Sequence, residues 1–120
     1  MPAETAPWPT EIRLSKDRRT LTVTFDDGAA LAIPAELLRV ESPSAEVQGH
    51  APDQKKLVAG KRAVEILEIA PVGSYAVRLR FDDMHDTGIF TWSYLRDLGE
   101  GAADKMAAYE RALADKGLSR

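Results

Sequence analysis

The sequence predicts a small α+β fold, and three stretches carry that prediction. Leu21, Val23 and Phe25 alternate with Thr20, Thr22 and Thr24, and Tyr75, Val77, Leu79 and Phe81 alternate with Ala76, Arg78 and Arg80. Period-two alternation rich in β-branched and aromatic residues marks half-buried antiparallel strands. In Ala103–Lys116 the apolar period changes instead, with Met106, Tyr109 and Leu113 at i, i+3 and i+7 and Gly117 as a stop, which marks an amphipathic C-terminal helix.

The remaining elements follow in chain order. Met1 to Pro7 is rich in proline and small polar residues and reads as a flexible N-terminus, with order expected from Trp8. Ile12 and Leu14 form a first strand before the clear strand at Leu21–Phe25. Asp26-Asp27-Gly28 is a hairpin turn, because glycine accepts the positive φ such turns require, and Leu31 and Ile33 continue as a third strand. Pro34 then opens a short helix over Ala35–Val40.

Glu41 to Arg62 holds two prolines, two glycines and no sustained period, so it is expected to be a long loop. Strand character returns over Ala63–Ile69, where a change of apolar phase between Ile66 and Leu67 calls for a bulge or burial of both faces. Pro71-Val72-Gly73-Ser74 is read as a turn. After an acidic loop over Asp82–Gly88, Thr91 caps a short helix that Gly99 is expected to end. The prediction is about five to six strands in one small antiparallel sheet, a helix after the third strand, a helix near 91–98 and the C-terminal helix.

Composition narrows function mostly by exclusion. At 120 residues the chain supports one core, since domains run to roughly 100–200 residues. Its formal charge of -3 gives no clustered cations for a polyanion, so nucleic acid is not expected as a partner. No stretch approaches the ~20 apolar residues needed to span a bilayer, and the start lacks a basic segment followed by an apolar one, so a cytoplasmic protein is expected. With no cysteine there is no disulfide, thiol nucleophile or thiolate-bound metal. There is no phosphate-cradling glycine loop and no nucleophile elbow. No catalytic residue and no cofactor are expected.

Only His50 and His85 supply imidazole. His85 lies in the densest polar cluster, with Asp82, Asp83 and Asp86, which offers donors for a divalent ion. A solvated acidic turn is the simpler reading, because a strong site needs three or four converging ligands. Asp26 with Asp27, and Glu65 with Glu68, read as exposed polar positions, and Arg78 with Arg80 as at best a small basic patch and more simply a solvated sheet face. The aromatics Tyr75, Phe81, Phe90, Trp92 and Tyr94 are expected to be core.

Several segments together carry a family resemblance. Trp8-Pro9-Thr10 with Ile12, Leu21–Phe25 with Asp27-Gly28, Leu37-Leu38-Arg39, Ile69–Val77, Phe81–His85 and Thr87–Leu95 resemble the γ-butyrobetaine hydroxylase-like N-terminal domain family. The resemblance covers residues 8–98, leaving 99–120 as a helical extension. It implies a domain without a reaction of its own, found alone in bacteria, ahead of an oxygenase domain, or attached to scaffold proteins of iron-sulfur cluster assembly. It thereby implies an accessory or protein-binding role, with a link to cluster or cofactor maintenance and a protein as partner.

In the hydroxylase this domain holds a structural zinc through three cysteines after a Leu-Arg pair and one histidine in an Asp-x-His segment. His85 in Asp83-Met84-His85 matches that histidine, whereas the cysteine positions correspond to Ser42, Ser44 and Val47. The resemblance thus implies a degenerate site without zinc, and a 41–62 loop that is mobile unless a partner or local hydrogen bonds order it. The alternative function is a metal-binding module with a weakened site on His85 and Asp83.

Overall fold

A computed structural model describes residues 8–49 and 56–120, apart from the side chains of 45 and 46. The α+β class is as predicted. Six strands form, divided between two three-stranded antiparallel sheets rather than gathered in one.

The first sheet is a meander of β1 (Pro9–Leu14), β2 (Thr20–Phe25) and β3 (Ala30–Pro34). Leu21, Val23 and Phe25 are buried, as the alternation requires, and Gly28 turns the β2–β3 hairpin at φ +91°. Pro34 stands before α1 (Ala35–Val40), whose Leu37 and Leu38 are fully buried. The stretch predicted to be loop throughout contains a helical turn, α2 (Ala45–Gln48), started by backbone bonds from Val47 and Gln48 to the Ser44 carbonyl.

The second sheet has the order β4 (Ile66–Val72), β5 (Ala76–Phe81), β6 (Ile89–Thr91). The predicted bulge is present, between Ile66 and Glu68. Two boundaries differ from prediction. The fourth strand starts at Ile66 and continues through Pro71 and Val72, because β4 is an edge strand and proline's missing N–H costs no ladder bond there. The turn therefore falls at Gly73–Tyr75, and Tyr75 leaves the core face and is 53% exposed, whereas Val77, Leu79 and Phe81 are buried as expected.

Open edges invite pairing with other chains, and the β4 edge is blunted. Pro71 interrupts the β4 edge, and the Arg18 guanidinium donates to the Ile66 and Leu67 carbonyls at 3.4 and 3.3 Å. Arg18 also links the sheets, its carbonyl accepting from Ile66 N at 2.8 Å.

Helix α3 (Trp92–Glu100) is capped as predicted, the Thr91 hydroxyl accepting from Tyr94 N at 3.2 Å. It does not end at Gly99. A Cβ there would lie 2.7 Å from Leu31 Cβ, so Gly99 serves close packing of α3 on β3, and the helix runs to Glu100 with Gly101 as its C-cap. Arg96 ties the same helix to the hairpin, donating to both Asp27 carboxylate oxygens and lying over the Phe25 ring. Helix α4 (Ala102–Asp115) buries Tyr109 and Leu113, with Met106 packed at the core margin, and Gly117 ends it at φ +69°. Beyond it the Arg120 guanidinium clasps the buried Glu36 carboxylate at 2.8 Å.

One core joins both sheets and the helices: Phe25, Ile33, Leu37, Leu38, Ile66, Leu79, Phe81, Phe90 and Leu95 are among its members. The 1–7 segment and His50 lie outside the described residues. No helix of the described residues is long and apolar enough to cross a membrane.

Candidate functional site

The site forms where the end of α1 meets the loop between β5 and β6. After Val40 the chain leaves the helix, and Gln48 Nε2 donates to the Ser42 carbonyl at 2.9 Å, folding residues 42–48 into a compact arch. Lys56 N donates to the Val47 carbonyl at 2.7 Å. Local hydrogen bonds thus order residues 41–49.

On the other side, β5 ends in a tight return. Met84 N donates to the Phe81 carbonyl and Phe81 N to the His85 carbonyl, both at 3.0 Å. Met84 adopts φ +72° with its side chain in solvent, a left-handed conformation that costs a non-glycine residue roughly 1 kcal/mol or more. The strained turn swings the next side chain, His85, inward beside Phe81, with ring centroids 6.1 Å apart.

There the sequence-separated positions meet. His85 Nε2 is 2.9 Å from Ser42 Oγ and 3.4 Å from Ser44 Oγ, and the two hydroxyls are 3.4 Å apart. Exposure is 0% for Ser42 and 7% for Ser44 and His85, and Val47 is buried beside them in sequence and on the same arch. The hydroxyls rotate to suit either imidazole tautomer, so Nε2 and both hydroxyls find partners within the triad. Gly88 closes the roof: a Cβ there would lie 2.3 Å from Ser42 Oγ.

A charged layer backs this knot. Asp83 Oδ2 accepts from Arg39 Nε at 2.7 Å and lies 2.6 Å from Lys61 Nζ, and its Oδ1 accepts from His85 N at 3.1 Å. Burial raises the carboxyl's pKa, but Lys61 and Arg39 outweigh it and hold the group down at about 2. Arg39 Nη1 is buried without an acceptor among the described residues. Tyr94 closes the far side, its hydroxyl donating to the Glu41 carbonyl; burial and the nearby Glu41 and Asp97 push its phenol up to about 12.

The arrangement does not suit a zinc ion. Tetrahedral zinc takes thiolate, imidazole or carboxylate donors, and two neutral hydroxyls and a valine are not such a set. Asp83 is engaged by two cations. Among the described residues no three His, Asp or Glu side chains gather as a metal site. The acidic cluster of the loop is otherwise dispersed, with Asp82 accepting from Glu65 N and Asp86 exposed.

The structure therefore assembles Ser42, Ser44, Val47, Asp83 and His85 and leaves the other candidates apart. Glu68 pairs with Arg80, and Asp27 with Arg96. Of the expected core aromatics, Phe81 and Phe90 are buried, Trp92 and Tyr94 sit at the core margin and Tyr75 lies outside. Sequence reasoning missed Arg39, Lys61 and Gly88. The half-buried Asp83 was the signal for the two cations, since a carboxylate leaving water needs a partner.

The sequence profile described as "Gamma-butyrobetaine hydroxylase-like, N-terminal" matches residues 12–96. The chain belongs to this family. Solved structures similar to this chain share the fold over most of their length. A protein solved by NMR in solution is 42% identical, with a TM-score of 0.83 over 100% of this chain and 89% of its own. A second NMR structure is 44% identical, with a TM-score of 0.81 over 95% of this chain and 90% of that one. A crystal structure from Acidithiobacillus ferrooxidans, described as a protein of unknown function in the DUF971 family, is 44% identical, with a TM-score of 0.64 over 76% of this chain and 91% of its own. No curated protein matches. The family match stops within α3, whereas the first NMR structure is similar across α4 as well.

Proposed function

We propose that this γ-butyrobetaine hydroxylase-like N-terminal domain is a non-enzymatic accessory module of the cytoplasm that acts by binding a protein partner, in the setting of iron-sulfur cluster or cofactor maintenance to which the family resemblance points. One observation carries the reading: its polar centre, Ser42, Ser44 and His85, is buried and hydrogen-bonded to itself. A serine beside an imidazole is the beginning of a nucleophile, but a working one needs an approach for substrate and donors for an oxyanion. Ser42 is 0% exposed, and Asp83 holds the backbone of His85.

The second reading, a weakened metal site on His85 and Asp83, is disfavoured by the ion pairs of Asp83 with Lys61 and Arg39, which an incoming cation would have to displace. Native mass spectrometry of the chain, with and without chelator, separates the readings. The accessory reading expects an apo mass under both conditions, and one cation per chain that the chelator removes would overturn it. The partner itself is sought by tagged capture from native lysate followed by reconstitution from purified components. A chain that reconstitutes with none of its captured proteins would sink the interaction role.

A further inference from the structure

A cavity of about 440 Å³ lies between α4 and the chain that follows the arch, open to solvent and lined by none of the buried triad. Its origin lies in the sequence of α4. Lys105, Ala108, Tyr109 and Ala112 fall at i, i+3, i+4 and i+7 and so share one helix face. The two alanines are too short to fill the space that the facing residues 56–58 leave.

Hydrogen bonds hold these walls apart. The Tyr109 hydroxyl donates to the Val58 carbonyl, and Lys56 N donates to the Val47 carbonyl at 2.7 Å. The Tyr94 hydroxyl fixes the Glu41 carbonyl in the same way, and Val40, at the end of α1, is buried against the cavity. A recess framed in this way receives a ligand without rearrangement, and small molecules occupy pockets of roughly 300–1,000 Å³.

Charge and size select the ligand. Lys56 and Lys105 make no ion pair among the described residues, and Glu41 stands with them as the acid of the lining. Two ammonium groups against one carboxylate favour a single negative charge, since a cation would meet both lysines and a second anionic group would meet Glu41. Glu36 and Arg120, whose charges reach Tyr109, pair with each other. Asp104, Glu110, Arg111, Asp115 and Lys116 are exposed and outside the lining, where solvent screens them. Leu57, the Tyr109 ring and the two alanines give the rest of the space an apolar wall. At about 30 Å³ for each non-hydrogen atom, the share of a water molecule in the liquid, the recess takes about fifteen. From this cavity we infer that the domain binds a free organic monocarboxylate with a compact apolar body. The carboxylate lies between Lys56 and Lys105 and the body against Tyr109, Ala108 and Ala112. A protein segment needs roughly 800 Å² of surface on each side to bind stably, far more than contact with about fifteen atoms provides. This ligand is additional to the protein partner proposed above and does not depend on it.

Octanoate, octylammonium and 1-octanol share one apolar chain and differ in charge, and each is titrated into the isotope-labelled protein while its amide NMR signals are followed. Octanoate is expected to shift the signals of residues 56–58 and 105–112 saturably. It is expected to bind at least tenfold more tightly than either other probe, with affinity falling as salt rises. Lys56→Gln together with Lys105→Gln is expected to erase that preference and leave 1-octanol binding as it was. Ala108→Leu, at an exposed position on the lining, fills the recess and is expected to weaken octanoate at least tenfold with an unchanged melting curve.

Equal binding of the three probes, no saturable shift with octanoate, or shifts confined to other amides overturns the inference. So does octanoate binding that survives the double lysine variant or Ala108→Leu unchanged. A synthetic peptide ending in a leucine carboxylate that binds the recess at least tenfold more tightly than octanoate assigns it to a protein chain, and overturns the inference as well. The accessory role is decided separately, by the reconstitution.

Discussion

His85 Nε2 lies 2.9 Å from Ser42 Oγ across 43 residues of chain, and this bond joins the end of α1 to the β5–β6 loop. Removing the imidazole leaves the Ser42 and Ser44 hydroxyls buried without their common partner and opens a hole beside Phe81. His85→Ala is therefore expected to destabilise the fold by about 2–4 kcal/mol. Ser44→Ala, which loses only the 3.4 Å contacts, should cost about 1 kcal/mol or less. Urea unfolding measures both, and a His85→Ala midpoint equal to that of the parent would show the triad to be structurally idle.

Asp83 sets an acid limit on this region. Its folded pKa of about 2 lies below the unfolded value of about 3.9, so the folded state favours the carboxylate. The resulting stability is fully present above pH ~4 and is lost as pH falls from there towards 2. Its size is at most about 2.6 kcal/mol, since the shift is nearly two pKa units and one unit corresponds to about 1.4 kcal/mol. Asp83→Asn should remove this pH-dependent part. The difference in unfolding free energy between the two proteins should grow as pH rises from about 2 to about 4 and level off above, and a constant difference over that range would contradict the assignment.

Gly88 and Ser42 should be coupled. A methyl at position 88 would meet Ser42 Oγ at 2.3 Å and the Phe90 ring at 3.0 Å, so Gly88→Ala is expected to cost about 1–3 kcal/mol through overpacking. Ser42→Ala removes the obstructing oxygen, and the double variant should be less destabilised than the sum of the singles. Additive costs in the double-mutant cycle would mean that the close approach relaxes at no expense.

Much of this was legible in the sequence for identifiable reasons. Alternation located β2 and β5 because one face of each is solvated, and Thr91, Gly28 and Gly117 were readable because their turn or cap chemistry is local. Local signals mislead where tertiary packing decides. Gly99 reads as a stop but is a contact with Leu31, and Pro71 reads as a turn but sits on a strand edge. The division into two sheets depends on which strands pair, which alternation does not encode. At the site, Ser42, Ser44 and Val47 came from the family resemblance, whereas His85 and Asp83 also stood out as part of the densest polar cluster. Arg39 and Lys61 were not found, since their shared carboxylate lies 44 residues from one and 22 from the other in the chain.

The same geometry allows the site to be converted. Ser42, Ser44 and Val47 occupy one arch, and the first two already face His85 Nε2. Thiolates there would give three sulfurs and one nitrogen, a donor set that zinc accepts at about 2.3 and 2.0 Å. Two sulfurs of such a tetrahedron stand about 3.8 Å apart, against 3.4 Å between the two hydroxyls. The triple variant Ser42→Cys, Ser44→Cys, Val47→Cys is expected to bind one zinc per chain and melt several degrees higher with zinc than with chelator, because metal that binds only the folded state stabilises it. The parent chain should melt at one temperature in both. Adding His85→Ala should weaken the engineered site by removing its nitrogen donor. If the triple variant takes up no stoichiometric zinc, or holds it equally well without His85, the four positions do not converge on a common centre.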